Sequence, residues 1–525
     1  MPGVSMVRRG AFMFKRKSIF MSAVILTSAS IFTRVVGFVY RVFLANTIGA
    51  EGIGLHQLIF PVYSLAWSIT CSGFTTTISK LVAQENAKRE SGNMGKVLKL
   101  SLFITGAISA AVALLMFAFA QTIANNIFHD GRTLLSIKIL AFAVPFMTAG
   151  SCIRGYFIGL REPFTPAVSQ IAEQVTRMAV VFMVAPVLIP MGLEFACAAA
   201  VFGILGGEFI SCIYQLYAYR VFKTRNSLIR KPSFETRQTV SMIFSMALPL
   251  TLSRITGSFL STVENILIPQ RLVAFGMTGT EAISAFGRIS GMAMPLIFFP
   301  SAFLTALSVT LVPAISEASA LKNSERIKNT ISKSLIFTLL LGIGASTVFI
   351  VLPREIGQLI YKQDIGGILL MLGFLCPFLY VNITLSGMLN GLGQQVLLFK
   401  NNLISSLINI ACVYFLIPIF GISAFIIGWT SSLAVVIVIS LIKIYKLTGL
   451  SLNLPKWLGK PALAALATSL TVNLIKTRLI IPNFGENILG VSITLALLLG
   501  GYCFFIVLLK CISWTEIMSI YKKTS

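Results

Sequence analysis

The stretch PFMTAGSCIRGYFIGL occupies residues 145–160, and PFLYVNITLSGMLNGL occupies residues 377–392. Aligned without a gap, the two stretches share proline, phenylalanine, two glycines and leucine at the same places, and at the same offset Pro186 matches Pro418. Matched prolines and glycines in two halves of a chain predict an internal repeat. Two copies of one six-helix unit in the same orientation are typical of transporters.

The composition predicts a membrane protein that crosses the bilayer many times. Of 525 residues, 56% are hydrophobic and only 11% are charged, and the mean hydropathy is +0.88. Apolar runs recur along the whole chain without the alternation of a β-barrel, so the crossings are expected to be helices. We predict about fourteen spans, at residues 19–44, 55–79, 97–120, 134–157, 166–189, 193–219, 240–267, 282–311, 332–352, 366–390, 395–417, 421–445, 460–480 and 488–510.

The predicted fold class is an all-α polytopic membrane protein with two pseudo-symmetric six-helix lobes plus two C-terminal helices. The expected divisions are an N-lobe at 1–225, a cytoplasmic inter-lobe loop at 226–239, a C-lobe at 240–447, and spans 13 and 14 with a tail at 448–525.

Basic residues predict the topology. The chain has 42 basic and 17 acidic residues. About 30 of the basic residues fall in loops on one side, about 7 on the other and about 5 within spans, so both termini are expected in the cytoplasm. Arg154 and Arg161 are counted here as cytoplasmic loop residues. Because the charge lies in short loops beside anionic phospholipid headgroups, nucleic-acid binding is not expected.

Arginines inside predicted spans are the main candidate site residues. TRVVG at 33–37 matches SRITG at 253–257, which pairs Arg34 with Arg254. A charged side chain at a helix centre costs about 2.5–3.5 kcal/mol on insertion scales, so its presence favours a function. The planar fork of arginine suits phosphate or pyrophosphate. The alternative for either arginine is a buried ion pair with a glutamate such as Glu264.

Three further arginines have competing interpretations. Arg41 lies two helical turns after Arg34, and either binds substrate or reaches the outer headgroups. Arg288, in FGRISG, is a further candidate for substrate binding. Arg177 follows Glu173 by four residues, a spacing that favours a structural ion pair.

No motif indicates catalysis, a cofactor or a metal. The eight cysteines show no CxxC spacing, and the two histidines, His56 and His129, lack the spacing of metal ligands. GAEGIG at 49–54 follows a predicted helix rather than a strand, so a dinucleotide site is not supported. The sequence contains no Walker motif, so direct use of ATP is not expected.

Three stretches resemble the stage V sporulation protein B family, which belongs to the multidrug/oligosaccharidyl-lipid/polysaccharide exporter superfamily. They are TRVVGFVYRVFLANTIGAEGIG at 33–54, PFMTAGSCIRGYFIGLREPFTPAVSQIAEQ at 145–174 and GMAMPLIFFPSAFLTALSVTLVPAISEA at 291–318. The resemblance implies fourteen helices, alternating access, and export of lipid-linked glycan precursors with a part in spore cortex synthesis. It also implies that spans 13 and 14 form a groove for the lipid tail.

Lipid II flippases of the same superfamily carry a Ser-Arg-hydrophobic pair-Gly-Phe motif in their first helix. TRVVGF matches this motif at Arg34, so the resemblance implies a role for Arg34 in the substrate cavity. Those flippases place Arg-Asp a few residues later, where this chain has Tyr40 and Arg41. Because of this difference, the sequence leaves open whether the chain binds its substrate in the same way as those flippases.

The sequence supports one leading hypothesis and two alternatives. The leading one is a flippase for a lipid-linked oligosaccharide or lipid II, with Arg34, Arg254, Arg41, Arg288 and Glu264 lining a cavity between the lobes. The first alternative is a sodium- or proton-coupled multidrug antiporter, against which the sparse acids within the spans argue. The second is a non-transporting scaffold for cell-wall synthesis enzymes, which are also candidate partners of a flippase.

Overall fold

The computed structural model describes residues 19–88, 90–225, 234–321, 323–450, 455–485 and 487–511. The predicted basic amino-terminus, most of the inter-lobe loop and the C-terminal tail lie outside these residues. All regular structure in the described residues is helical. The sixteen helices used below are α1 (Ile19–Trp67), α2 (Gly73–Ala87), α3 (Ser91–Ala118), α4 (Leu134–Gly159), α5 (Phe164–Leu188), α6 (Leu193–Arg225), α7 (Thr236–Ala274), α8 (Gly279–Phe286), α9 (Ser301–Ala320), α10 (Ser324–Val351), α11 (Pro353–Tyr361), α12 (Gly366–Gly391), α13 (Gln395–Phe420), α14 (Ile422–Thr448), α15 (Lys460–Ile475) and α16 (Ile488–Leu508).

The described chain accounts for fourteen crossings. Thirteen stretches of it are long and apolar enough to cross a membrane, and the first has 63 residues. At about 1.5 Å per residue such a length far exceeds one hydrocarbon layer of about 30 Å. Gly49 divides this stretch, because its backbone is left-handed at φ 71°. The first stretch therefore holds two crossings, and the predicted number of spans is confirmed.

The eighth predicted span, 282–311, is broken rather than continuous. After α8 the chain forms a π-helical turn at Gly287–Ala293 and a short helix at Met294–Phe298 before α9 begins. Proline lacks an amide hydrogen and clashes with the preceding turn, so Pro295 and Pro300 explain why one helix does not run through.

The chain forms two compact units, whose boundaries fall inside helices. Unit 1 comprises residues 1–37 and 62–258, and unit 2 comprises residues 38–61 and 259–525. Each unit thus combines segments from both sequence repeats. The lobe divisions at 225 and 240 remain a prediction about the sequence halves.

In unit 1, α2 and α4 approach closely through a glycine of the repeated stretch. A Cβ at Gly155 would lie 2.6 Å from the carbonyl oxygen of Thr75, so a larger residue does not fit there. The Thr75 hydroxyl also donates to the carbonyl oxygen of Ser151 at 3.4 Å. Small residues allow membrane helices to pack backbone against backbone.

Unit 2 contains the equivalent contact between α9 and α12. A Cβ at Gly387, the repeat partner of Gly155, would lie 2.0 Å from Ser308 Oγ. Ser308 donates to the carbonyl oxygen of Ile383 at 3.2 Å, and Ile383 is the repeat partner of Ser151. The repeat is therefore visible in three-dimensional contacts as well as in sequence.

A second pair of buried contacts obeys the same repeat. Thr105 of α3 lies 3.3 Å from the sulfur of Cys152 in α4. In unit 2, Thr338 of α10 lies 2.8 Å from the hydroxyl of Thr384 in α12. Cys152 and Thr384 occupy the same place in the two repeated stretches. In both repeats, therefore, the third and fourth spans contact each other at the same buried polar position.

Replacing Gly387 by alanine is expected to lower the free energy of unfolding by about 1–3 kcal/mol, because overpacking forces neighbours to move. The added Cβ would also lie 2.9 Å from the Cα of Ser308. Thermal unfolding of the purified protein in detergent measures the effect. The control is Gly367→Ala in the same helix, where a Cβ would meet nothing within 4 Å. Equal melting temperatures for the two variants would contradict the close contact.

Glycines also bring residues 50–58 of α1 against the start of the eighth span within unit 2. A Cβ at Gly54 would lie 2.1 Å from the carbonyl oxygen of Ile283, and one at Gly287 would lie 2.1 Å from that of Ala50. The side-chain amide of Gln57 donates to the carbonyl oxygen of Ser290 at 3.0 Å. The GAEGIG stretch thus forms part of a helix crossing.

A largely buried ion pair ties span 13 to α11 within unit 2. Lys476, in the π-helical turn after α15, pairs with Glu355 of α11. The two side chains are only 12% and 10% exposed. Lys476 also donates to the carbonyl oxygen of Val351 at 3.4 Å.

Candidate functional site

Arg34 and Arg254, the leading sequence candidates, both belong to unit 1 and both have exposed side chains. Arg34 lies one turn before Gly37 on α1, and a Cβ at Gly37 would touch the Gln174 side chain of α5 at 3.4 Å. Arg254 lies on α7 between Thr251 and Ser258. Two helices, α1 and α7, therefore place exposed arginine side chains in membrane-crossing segments of one unit.

Packing on α7 explains where Arg254 sits. Thr251 lies against Gly73, where a Cβ would be 2.1 Å from Thr251 Oγ1. Ser258 lies 2.5 Å from Ser68 through their hydroxyl oxygens. Residues three and four apart share a helix face. Arg254 consequently flanks the stripe with which α7 packs against the start of α2.

Arg41 belongs to unit 2 and lies near the loop that follows α11. Its positive charge acts on the phenol of Tyr361, the last residue of α11, and tends to lower the pKa of Tyr361, although burial raises that pKa more strongly. Close by on α1, the Asn46 side chain donates to the carbonyl oxygen of Ile360 at 2.8 Å. Arg41 lies eight residues before the helix break at Gly49, and its role as a substrate contact or a headgroup contact stays a prediction.

Arg288 lines a cavity of about 400 Å³ in unit 2 together with Phe275, Met277 and Glu281. The Arg288 Nε is buried and has no hydrogen-bond partner in the described part of the chain. The Glu281 carboxylate accepts from the backbone amide of Thr278 at 2.9 Å and so caps α8. The cavity therefore presents one cation beside one carboxylate.

Glu264, also in unit 2, lies beside the side chain of Asn409 of α13. Asn409 is 8% exposed, so the pair is largely enclosed. The partner of this carboxylate is thus an amide of a neighbouring helix. Of the five predicted site residues, the structure places two in unit 1 and three in unit 2.

A network of charged residues in unit 1 was only partly predicted. Glu173 pairs with Arg177 at 2.7 Å, which confirms the expected ion pair, and its second oxygen lies 3.5 Å from Arg154. Glu208 of α6 is 6% exposed and accepts from the Tyr63 hydroxyl at 2.7 Å. The five side chains come from α1, α4, α5 and α6.

The assignment of Arg154 to a cytoplasmic loop is wrong. Arg154 lies inside α4, five residues before the helix ends at Gly159, and its side chain pairs with Glu173. The predicted span at 134–157 already contained this residue, so span limits alone could have indicated it. The Tyr63–Glu208 contact joins residues 145 positions apart, for which the sequence carries no local pattern.

Comparison with known proteins adds the family. The model of the polysaccharide biosynthesis protein family matches residues 19–319, and the MatE model matches residues 249–415. Stage V sporulation protein B of Bacillus subtilis is 31% identical over 399 residues, which cover 75% of this chain and 76% of the relative. Lipid II flippase MurJ of the same organism is 24% identical over 358 residues, covering 63% and 62%.

Solved structures share the fold. The inward closed conformation of lipid II flippase MurJ has a TM-score of 0.70 at 15% identity, and the match covers 93% of this chain and 99% of that one. An inward-facing multidrug resistance transporter of the MATE family has a TM-score of 0.65 at 14% identity, covering 82% and 100%. With fourteen crossings and an internal repeat, the protein is a multi-pass membrane transporter of the flippase and exporter class.

The chain belongs to the stage V sporulation protein B family, within the multidrug/oligosaccharidyl-lipid/polysaccharide exporter superfamily. This confirms the resemblance that the three sequence stretches indicated.

Proposed function

We propose that the protein translocates an undecaprenyl-pyrophosphate-linked glycan, a peptidoglycan precursor of the lipid II type, across the cell membrane by alternating access. The observation that carries the proposal is the pair of exposed arginines, Arg34 and Arg254, at matching places in the two repeats and within one compact unit. Two fixed cations inside membrane spans suit the pyrophosphate of such a lipid.

The other predicted residues have supporting roles in the proposal. Within unit 2, Arg288 and Arg41 contribute further positive charge for the glycan phosphates, and Glu264 contributes a polar contact for the glycan. Spans 13 and 14 hold the lipid tail, and both termini face the cytoplasm. The similarity to stage V sporulation protein B supports spore cortex synthesis as the setting, with cell-wall synthesis enzymes as partners.

Translocation of lipid II by the purified protein in proteoliposomes tests this function. Labelled lipid II is incorporated, and the fraction reached by a membrane-impermeant modifying enzyme is followed with time. Faster equilibration than in protein-free vesicles is the expected result. Equilibration at the protein-free rate, with the protein shown to be folded and inserted, would overturn the proposal.

A proton- or sodium-coupled multidrug antiporter is a second candidate. Two carboxylates of unit 1, Glu173 and Glu208, lie in one buried network, a cluster that the sequence interpretation did not foresee. The similarity to a MATE transporter agrees with it. Efflux of cationic dyes from cells that overproduce the protein, without lipid II translocation, would favour the antiporter.

A further inference from the structure

Glu208 belongs to the four-helix network of unit 1, and its partner differs from those of the neighbouring carboxylate, Glu173. Glu173 contacts two arginines, Arg177 at 2.7 Å and Arg154 at 3.5 Å. Glu208 instead accepts a hydrogen bond from a neutral phenol, that of Tyr63, at 2.7 Å. One carboxylate therefore has two guanidinium partners, whereas the other has an uncharged donor.

The charges facing Glu208 come from each helix of the network. Arg154 approaches from α4, Glu173 and Arg177 from α5, and the neutral Tyr63 from α1, all near enough to act on the carboxylate. The uncharged thiols of Cys71 and Cys212 also lie near Glu208. If both glutamates are ionised, two negative charges balance two positive ones. Because the arginines contact Glu173, addition of one proton to Glu208 breaks no ion pair.

A buried carboxylate without a cationic partner is costly as an anion in a membrane span. A proton removes that charge and keeps the hydrogen bond, because a carboxylic acid can both accept from and donate to the Tyr63 hydroxyl. Hydrogen bonds to a charged acceptor are roughly twice as strong as neutral ones. Protonation of Glu208 would therefore weaken the link between α1 and α6 without abolishing it.

Tyr63 is well placed to transmit such a change. It lies five residues before Ser68, where the helix becomes a π-helical turn, and Ser68 lies 2.5 Å from Ser258 of α7. The Tyr63–Glu208 bond thus restrains the segment that leads to the α7 contact beside Arg254. π-helical turns inside longer helices occur frequently at functional sites.

We propose that Glu208 is a proton-binding site whose occupancy changes during the transport cycle, with Tyr63 as the residue that links it to α1. In each cycle one proton from water binds a Glu208 oxygen and is later returned to water, so the site alternates between a carboxylate and a neutral acid. The transport part of this inference rests on the proposed function; proton binding by Glu208 does not.

Infrared difference spectroscopy of the purified protein across a pH step tests proton binding without any substrate. The expected result is a carbonyl stretch of a protonated carboxylic acid that appears at low pH in the wild-type protein and is absent in Glu208→Gln. Tyr63→Phe should keep the band at a shifted frequency, since the acid loses its phenol partner. A band that is unchanged in Glu208→Gln would overturn the proposal.

The pH profile of lipid II translocation, at equal pH on both sides, tests the coupling. With a single proton-binding group, the translocation rate changes about tenfold per pH unit over part of the profile. Glu208→Gln should lose this pH dependence. The control is Glu317→Gln, because Glu317 is a glutamate of unit 2 that is 60% exposed in its surface pair with Arg326, and its replacement should preserve the pH dependence. If the same pH dependence persists in Glu208→Gln, the coupling of Glu208 protonation to transport is overturned. Absence of translocation in the wild type would instead overturn the proposed function, and the infrared result would still decide proton binding.

Discussion

Replacing Arg34 by alanine is expected to slow lipid II translocation in proteoliposomes by about 10- to 150-fold, because a hydrogen bond to a charged group contributes about 1.5–3 kcal/mol. Arg254→Ala should have an effect of similar size, since both side chains are exposed in unit 1 at matching repeat positions. Initial rates at equal amounts of reconstituted protein provide the measurement.

Two further variants sharpen this prediction. Arg34→Lys keeps the charge and loses the planar fork. If two donors of Arg34 bind the pyrophosphate at once, its translocation rate is expected to lie between those of the wild type and Arg34→Ala. Arg326→Ala is the matched control, because Arg326 is 48% exposed in a surface pair with Glu317 at 3.0 Å. Wild-type rates for Arg34→Ala at normal protein abundance would contradict a substrate role for Arg34.

Lys476→Met is expected to lower the free energy of unfolding by about 3–5 kcal/mol, because it leaves the charge of Glu355 buried without its partner. The side chains are 12% and 10% exposed, so water compensates for little of the loss. The double variant Lys476→Met with Glu355→Leu should recover most of the stability, since the unpaired charge is then gone. Denaturant titration in detergent compares the three proteins.

The surface pair of Glu317 and Arg326 again supplies the control for Lys476. Glu317→Gln should change stability by less than about 1 kcal/mol, because exposed ion pairs contribute little. If Lys476→Met were no less stable than Glu317→Gln, the ion pair between span 13 and α11 would contribute nothing measurable to stability.

Features with a local or repeated pattern were predictable from sequence. Hydropathy indicated the number of crossings. Prolines and glycines that align without a gap indicated the repeat, and Gly155 and Gly387 make equivalent helix contacts in the structure. The Glu173–Arg177 pair followed from a spacing of four on one helix.

Features that depend on distant partners were not predictable. A basic residue near the end of a span is expected in a loop, but Arg154 lies inside α4, where Glu173 compensates its charge. The bond between Tyr63 and Glu208 requires two helices to be placed correctly in space. Which predicted site residues share a unit likewise depends on tertiary contacts that periodicity does not encode.

The glycine crossing at Gly54 and Gly287 has a consequence for how the protein is made. Gln57 and its acceptor Ser290 are 233 residues apart. At about 5–20 residues per second, the ribosome synthesises the second partner roughly 10–50 s after the first. During that interval the first hairpin sits in the bilayer with its glycine face uncovered. Biogenesis therefore includes a delay in which this face of α1 lacks the partner that it has in the folded protein, until the eighth span emerges.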